Sequence, residues 1–299
     1  MHKRKLNNYL PNVIVTIIMS FSILAFVLVN LFSAMVLNPA TYTNAMNKSD
    51  VGEQAYNEII EFFDRQQSYT GIDAELLKKS VSKESVSESI YAYVDSTFDY
   101  IAGKSSSLPK FNYDFSTLET NVHNDYIRWA KKHGIEYDQK VQKYEKYTIS
   151  SIESVVHNKL DIMLLSHINT KNGFSTKLRD SYGMVKVIWI ITFILSIASI
   201  AITYFLNFHR TRNLFYWLSI GFLSSGLMLA IPSVILKQTK YFDGLVLSND
   251  AIYGALTKSL YAVTHETFLA GIILLALFVI FMFIYVALQN DLFKFKHSK

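Results

Sequence analysis

Residues Val13 to Leu37 run for twenty-five positions without a formal charge. As a helix rising about 1.5 Å per residue, such a run is long enough to cross a hydrocarbon core of about 30 Å with some tilt. Lipid offers no partner for backbone polar groups, so a spanning segment of this kind folds as a helix. Three more apolar runs follow, Met184–Leu206, Leu214–Leu236 and Phe268–Leu288, and the sequence predicts four transmembrane helices. A 51% share of hydrophobic residues fits a chain divided between membrane and water.

Charge decides the threading. The 1–12 tail holds three Lys/Arg, the 207–213 loop two (Arg210, Arg212) and the 289–299 tail three (Lys294, Lys296, Lys299), against a single acid, Asp291. Segment 38–183 holds seventeen Lys/Arg and twenty Asp/Glu, a net −3. Basic loops stay in the cytoplasm. The expected layout is therefore a plasma-membrane protein with cytoplasmic segments 1–12, 207–213 and 289–299 and spans 13–37, 184–206, 214–236 and 268–288. Segments 38–183 and 237–267 are expected outside. The overall charge of +5 reports this topology and not a nucleic-acid footprint, because no basic stripe with interleaved aromatics stands out. The first run exceeds the apolar region of about 7–15 residues in a cleaved signal, so a retained signal anchor is expected.

The 38–183 segment is patterned for helices throughout, which predicts an all-α membrane protein with a helical-bundle extracytoplasmic domain. Tyr56, Ile59, Ile60 and Phe63 recur at three and four within Val51–Tyr69, and a short segment near Asp73–Ser80 follows. Val86, Ile90, Tyr93, Val94, Phe98 and Ile101 share a face of Ser82–Ala102, with Gly103 placed as its carboxy-terminal cap. Ser116-Thr117-Leu118-Glu119 reads as a capping box opening a helix through Leu118, Val122, Tyr126 and Trp129, closed at Gly134. A last helix is expected from Gln139 to Ser166, with Val141, Tyr144, Thr148, Ile152, Val155 and Met163 near one stripe. In the 237–267 loop, Ile252, Leu256, Leu260 and Val263 predict an amphipathic helix running into the fourth span, on the headgroups or against the outer domain.

Polar residues inside the spans point to helix packing. Thr192, Ser196, Ser199 and Thr203 form one stripe of the second span, and Gly221/Ser225 and Gly226/Ala230 put small residues four apart in the third. Small residues let backbones approach and hydroxyls bond across helices. Asn30, the one amide well inside a predicted span, suits an interhelical hydrogen bond. A hydroxyl-lined oligomeric pore is the functional alternative for the second-span stripe. No Asp, Glu or His lies deep in a predicted span, which argues against an ion-coupled carrier.

Chemical motifs are scarce. Cysteine is absent, which removes disulfides, thiolate nucleophiles and Cys-ligated metals. His265-Glu266 begins a zinc-protease pattern, but Leu269 stands where the second histidine belongs. His123, His157, His265 and Glu266 are the weak catalytic candidates, and no cofactor or metal is expected. The most distinctive surface chemistry is basic and aromatic: Lys131, Lys132, Tyr137, Lys140 and Tyr144, candidates for binding an anionic envelope polymer, lipid headgroups or a partner protein.

The richness in Lys, Asn, Ile and Tyr resembles that of AT-rich Gram-positive bacteria. One span, a large outer domain and three further spans is similar in layout to the lipoprotein intramolecular transacylases of such organisms. That resemblance covers topology and no motif, so no catalytic residue is carried over. The sequence-level expectation is a non-catalytic membrane protein whose outer domain binds a ligand, envelope component or partner protein, as a sensor subunit, immunity factor or assembly accessory. Any signal then passes laterally to a membrane partner or homo-oligomer. An envelope enzyme acting on lipid-linked substrate and an oligomeric pore are the alternatives.

Overall fold

The structure, a computed structural model, describes residues 9–70, 72–161, 165–245 and 250–289. The cationic residues of the 1–8 and 290–299 segments, and Met163 of the expected last stripe, lie outside these. Among the described residues the chain is all helical, and four helices are long and apolar enough to cross a membrane: Tyr9–Val36, Phe174–Leu206, Thr211–Gln238 and Ile252–Gln289. The chain divides into two compact units, one within Met1–Asn38, Gly183–Leu245 and Leu260–Lys299, the other within Pro39–Tyr182 and Val246–Ser259.

The spanning unit contains α1 (Tyr9–Leu31), which ends in a π-helical turn over Phe32–Val36. It also takes most of α9 (Phe174–Leu206), α10 (Thr211–Gln238) and the later part of α11 (Asp250–Gln289). Glycine sets the closest approaches. A Cβ at Gly221 would lie 1.9 Å from Met19 Cε, and Ser225 Oγ beside it donates to the Ser20 carbonyl at 2.9 Å, joining α10 to α1. A Cβ at Gly271 would lie 2.9 Å from the Ala230 nitrogen and 3.1 Å from the Gly226 carbonyl oxygen, so α10 and α11 touch backbone to backbone.

Helix α9 joins α1 through amides and rings. Trp189 Nε1 donates to Asn30 Oδ1 at 3.0 Å, Asn207 Nδ2 donates to Asn12 Oδ1 at 2.7 Å, and Phe26 meets Trp189 and Phe193. The Thr192–Thr203 stripe is buried, yet its hydroxyls do not bond across helices as expected. Each donates to a carbonyl three or four residues back on its own helix, Thr203 to Ser199 at 2.8 Å for instance. Back-bonding satisfies the donor locally, so the hydroxyl needs nothing from its neighbour.

The helical unit is built from α2 (Pro39–Asn47), α3 (Val51–Thr70), α4 (Ala74–Lys78), α5 (Lys83–Ile101), α6 (Ser116–Lys132), α7 (Gln139–Leu160) and α8 (Leu165–Ile168). One apolar core gathers Val51, Ile59 and Phe63 of α3 with Val86, Ile90 and Val94 of α5. Leu118 and Val122 of α6 and Ile152, Val156 and Leu160 of α7 complete it. Ile252 and Ala255, from the first turns of α11, also pack there, and the amphipathic stretch and the fourth span form one helix. Gly103 (φ +74°) and Gly134 (φ +64°) follow α5 and α6 in the left-handed conformation that suits glycine at a helix end.

Three local expectations are corrected. The capping box at Ser116 does not form: Asp114 Oδ1 accepts from the Ser116 N–H at 2.9 Å, and that upstream carboxylate takes the place of a side-chain cap. A box forms instead at α5, between Ser82 and Ser85. The helix expected to reach Ser166 stops at Leu160, where the buried Asp161 carboxylate turns to accept from the Ser166 N–H and hydroxyl. Trp129 and Tyr144, expected on buried stripes, are exposed for reasons given below.

Overpacking a tight contact costs about 1–3 kcal/mol, or roughly 2–10 °C in a chain of this size. Gly271→Leu is expected to lower the apparent melting temperature of the detergent-solubilised protein by that amount. Gly244→Ala, whose Cβ would meet nothing within 4 Å, is expected to leave it unchanged.

Candidate functional site

Helices α6 and α7 are joined by a short connection, residues 133–138. Gly134 turns the chain after α6, and Asp138 opens α7 by accepting from the Lys140 and Val141 N–H groups, both at 3.0 Å. Two polar ties hold the pair together. Tyr126 Oη lies 2.8 Å from Thr148 Oγ1. Glu145 is buried within α7, yet its carboxylate is doubly paired: Oε1 lies 2.9 Å from His123 Nδ1, and Oε2 accepts the Tyr137 hydroxyl proton. Tyr137 Oη also lies 3.3 Å from His123 Nδ1.

This tie fixes the register of α7. The face turned to the core carries Glu145, Ile149, Ile152, Val156 and Leu160; of the stripe expected from the sequence, Ile152 lies in the core and Val155 packs at its edge, while Tyr144 is exposed. Glu145 takes the inner position beside Tyr144 because His123 and Tyr137 give its carboxylate partners where polarity alone would place it in water. Tyr144 and Trp129 are turned toward a cavity of about 520 Å³. Its rings are Tyr126, Trp129 and Tyr144; its aliphatic wall is Ile72, Ile135 and Val141; Asp125, Asp138, Lys140 and Thr148 supply polar edges.

Exposure singles out the same hairpin. Within 39–182, the exposed large apolar side chains are Ile127, Trp129, Ile135, Tyr144, Tyr147 and Phe174 among the described residues, and all but Phe174 belong to α6, α7 or the turn between them. Trp129 is 45% and Tyr144 58% exposed, too much for core packing to explain. Over residues 127–147 there are six Lys/Arg against three Asp/Glu, one of them the buried Glu145. His133 meets Trp129 at a tilt, ring centres 5.0 Å apart, and its Nδ1 lies 2.8 Å from the Trp129 oxygen, while Lys143 sits over the Tyr147 ring.

The basic and aromatic cluster of the sequence is thus split. Lys140 and Tyr144 line the ring-walled cavity, Lys131 and Lys132 are exposed at the end of α6, and Tyr137 turns to the Glu145 tie. A second groove of about 480 Å³ lies along that tie, lined by Glu119, His123, Glu145, Lys146, Ile149 and Glu153. Burial, and then the facing Glu119 carboxyl, push the Glu153 carboxyl up from its ordinary range.

The histidine candidates are not brought together. His123 is in the tie, His157 packs edge-on against Phe111 at 4.9 Å, and His265 with Glu266 is exposed on α11 in the spanning unit. Among the described residues no group of three or more His, Asp or Glu is placed to hold a metal. The packing candidates stand where helices meet: Asn30 between α1 and α9, Gly221 and Ser225 between α10 and α1. Asn12, Asn207 and Glu145 carry structural polar contacts that the sequence reading missed. For Glu145 a signal existed, since it lies seven residues before Ile152 on the same helical face.

Desolvation, followed by the hydrogen bond to Glu145, pushes the Tyr137 hydroxyl up to about 12. The folded chain therefore holds a proton that an unfolded tyrosine releases near pH 10. That contribution is complete below about pH 10 and is lost as pH rises through about 12. Comparing alkaline unfolding of the wild type with Tyr137→Phe isolates it. The wild type is expected to lose more stability across that window, and the variant to be about 1–3 kcal/mol less stable at neutral pH because Glu145 loses a donor.

No protein-family model, no curated protein and no solved structure matches the chain.

Proposed function

We propose that this is a multi-pass plasma-membrane protein that works by binding and not by catalysis, with the α6–α7 face of its helical domain as the binding surface. Both chain ends and the 207–213 loop are cytoplasmic in this reading, and segments 38–183 and 237–267 face outward. The carrying observation is the concentration of exposed rings around the 520 Å³ cavity between α6 and α7. Buried aromatic anchors dominate binding energetics, and a concave apolar site with a few polar edges is the usual form of a ligand pocket. The excess of Lys/Arg over Asp/Glu across residues 127–147, with Lys131 and Lys132 exposed at the end of α6 and Lys140 sharing the cavity edge with Asp125 and Asp138, favours a ligand, envelope component or partner protein that presents negative charge around an apolar group.

In this reading the consequence of binding passes to a membrane partner or a second copy through exposed apolar residues such as Ile190 and Ile194 of α9 or Ile273 and Phe283 of α11. The envelope-enzyme alternative has one observation in its favour, the His123–Glu145 pair in the second groove. There the acid and base groups are bonded to each other, which favours a structural tie. For the pore alternative, the buried, back-bonded hydroxyls of α9 favour packing.

Truncating an aromatic anchor typically costs about 2 kcal/mol or more, roughly 30-fold in affinity. A photo-crosslinking residue at Lys132 in native membranes is expected to yield one dominant adduct. Trp129→Ala with Tyr144→Ala should reduce it at least tenfold while helical circular dichroism stays unchanged. An adduct pattern indifferent to both rings contradicts the proposal.

A further inference from the structure

The spanning unit contains a crevice of about 320 Å³ that its helix packing leaves open, between α1, α10 and α11. Leu24 and Leu28 form one wall; Met228, Leu229, Pro232 and Leu236 form the second; Val263, Thr264 and Thr267 form the third. The tight contacts of α10 are at Gly221, Ser225 and Gly226, with Ala230 against Gly271 on the α11 side. Beyond Gly226 the wall of α10 passes to larger side chains and to Pro232, which has no N–H with which to close the helical bond to Met228.

The lining decides what can occupy it. No acidic or basic side chain reaches it, and its hydroxyls are already committed. Ser233 donates to the Leu229 carbonyl at 2.7 Å, Thr264 to Leu260 at 2.9 Å and Thr267 to Val263 at 2.8 Å. An anion would find no spare donor there. By liquid volume the space equals about ten water molecules, far too much to leave empty at the cost of lost dispersion contacts.

One end of the crevice carries interfacial chemistry. Leu236 is followed by Lys237 and, just past the end of α10, by Lys240, both exposed and neither in an ion pair among those described. Tyr241 is exposed, and Phe242 meets Tyr261 at 5.2 Å, an aromatic group of the kind found at headgroup depth. We infer that the α1–α10–α11 crevice is a specific site for one phospholipid, its acyl chain between Leu28, Pro232 and Val263 and its anionic headgroup on Lys237 and Lys240. This rests on the four helices spanning the bilayer and is independent of the α6–α7 surface.

The test uses the full chain in lipid nanodiscs doped with phosphatidylglycerol, or with phosphatidylcholine, carrying a diazirine on the acyl chain, with adducts mapped by peptide mass spectrometry. The expected result is several-fold enrichment of adducts on 228–236 and 263–267 over lipid-facing residues such as Ile194, Ile273 and Phe283, stronger for the anionic lipid. Val263→Trp and, on a different helix, Leu28→Trp should each abolish the enrichment by filling the space. Lys237→Gln with Lys240→Gln should retain the enrichment and remove the headgroup preference. Adducts spread evenly over all lipid-facing residues would show ordinary boundary lipid and overturn the site. Equal labelling by both lipids, unchanged in the double lysine variant, would overturn the anionic headgroup assignment.

Discussion

In a bilayer, an apolar side chain gains nothing by leaving lipid for protein, so what holds spanning helices together is how closely their backbones can pack. Here that constraint is met at three glycines. Gly221 admits Met19, and Gly226 and Gly271 let α10 and α11 touch through backbone atoms. The hydrogen bonds between Ser225 and Ser20, Trp189 and Asn30, and Asn207 and Asn12 add direction to contacts that the glycines make possible. Beside Pro232 the helices no longer fill the space between them, and the crevice lies there.

The helical unit obeys the opposite solvent rule. Its core is assembled by removing Val, Ile, Leu and Phe from water, yet one pair of helices departs from that logic. Between α6 and α7 the ties are polar, Tyr126 to Thr148 and Glu145 to His123 and Tyr137, and the rings that would ordinarily close such a seam stand at its edge. Polar ties with satisfied partners fix a single register, which leaves Trp129 and Tyr144 exposed without loosening the pair.

The spans were legible because an uncharged run of more than twenty residues has few alternatives, and the small residues of α10 were legible as packing residues. Which helices they join was not, because a Gly-Ser spacing is the same whether Met19 or Gly271 lies opposite. In α7 the stripe from Val141 to Val155 placed Ile152 in the core but also set Tyr144 inward, where the next position, about 100° around the helix, holds the buried Glu145. The true inner face begins with a glutamate, and its partners lie 22 and 8 residues away in the chain. The ends of the spans were harder still: Asn12 and Asn207 fall just outside the apolar runs, but a buried amide pair draws both into the packed unit.

The account depends most on the domain that bears the α6–α7 surface lying outside while the 207–213 loop stays in the cytoplasm. The chain has no cysteine, so single substitutions report cleanly. Lys110→Cys and Arg212→Cys, both at exposed positions, would be challenged with a membrane-impermeant maleimide on intact cells and again after permeabilisation. The account predicts labelling at position 110 in intact cells and at position 212 only once the membrane is opened; the reverse pattern would contradict it.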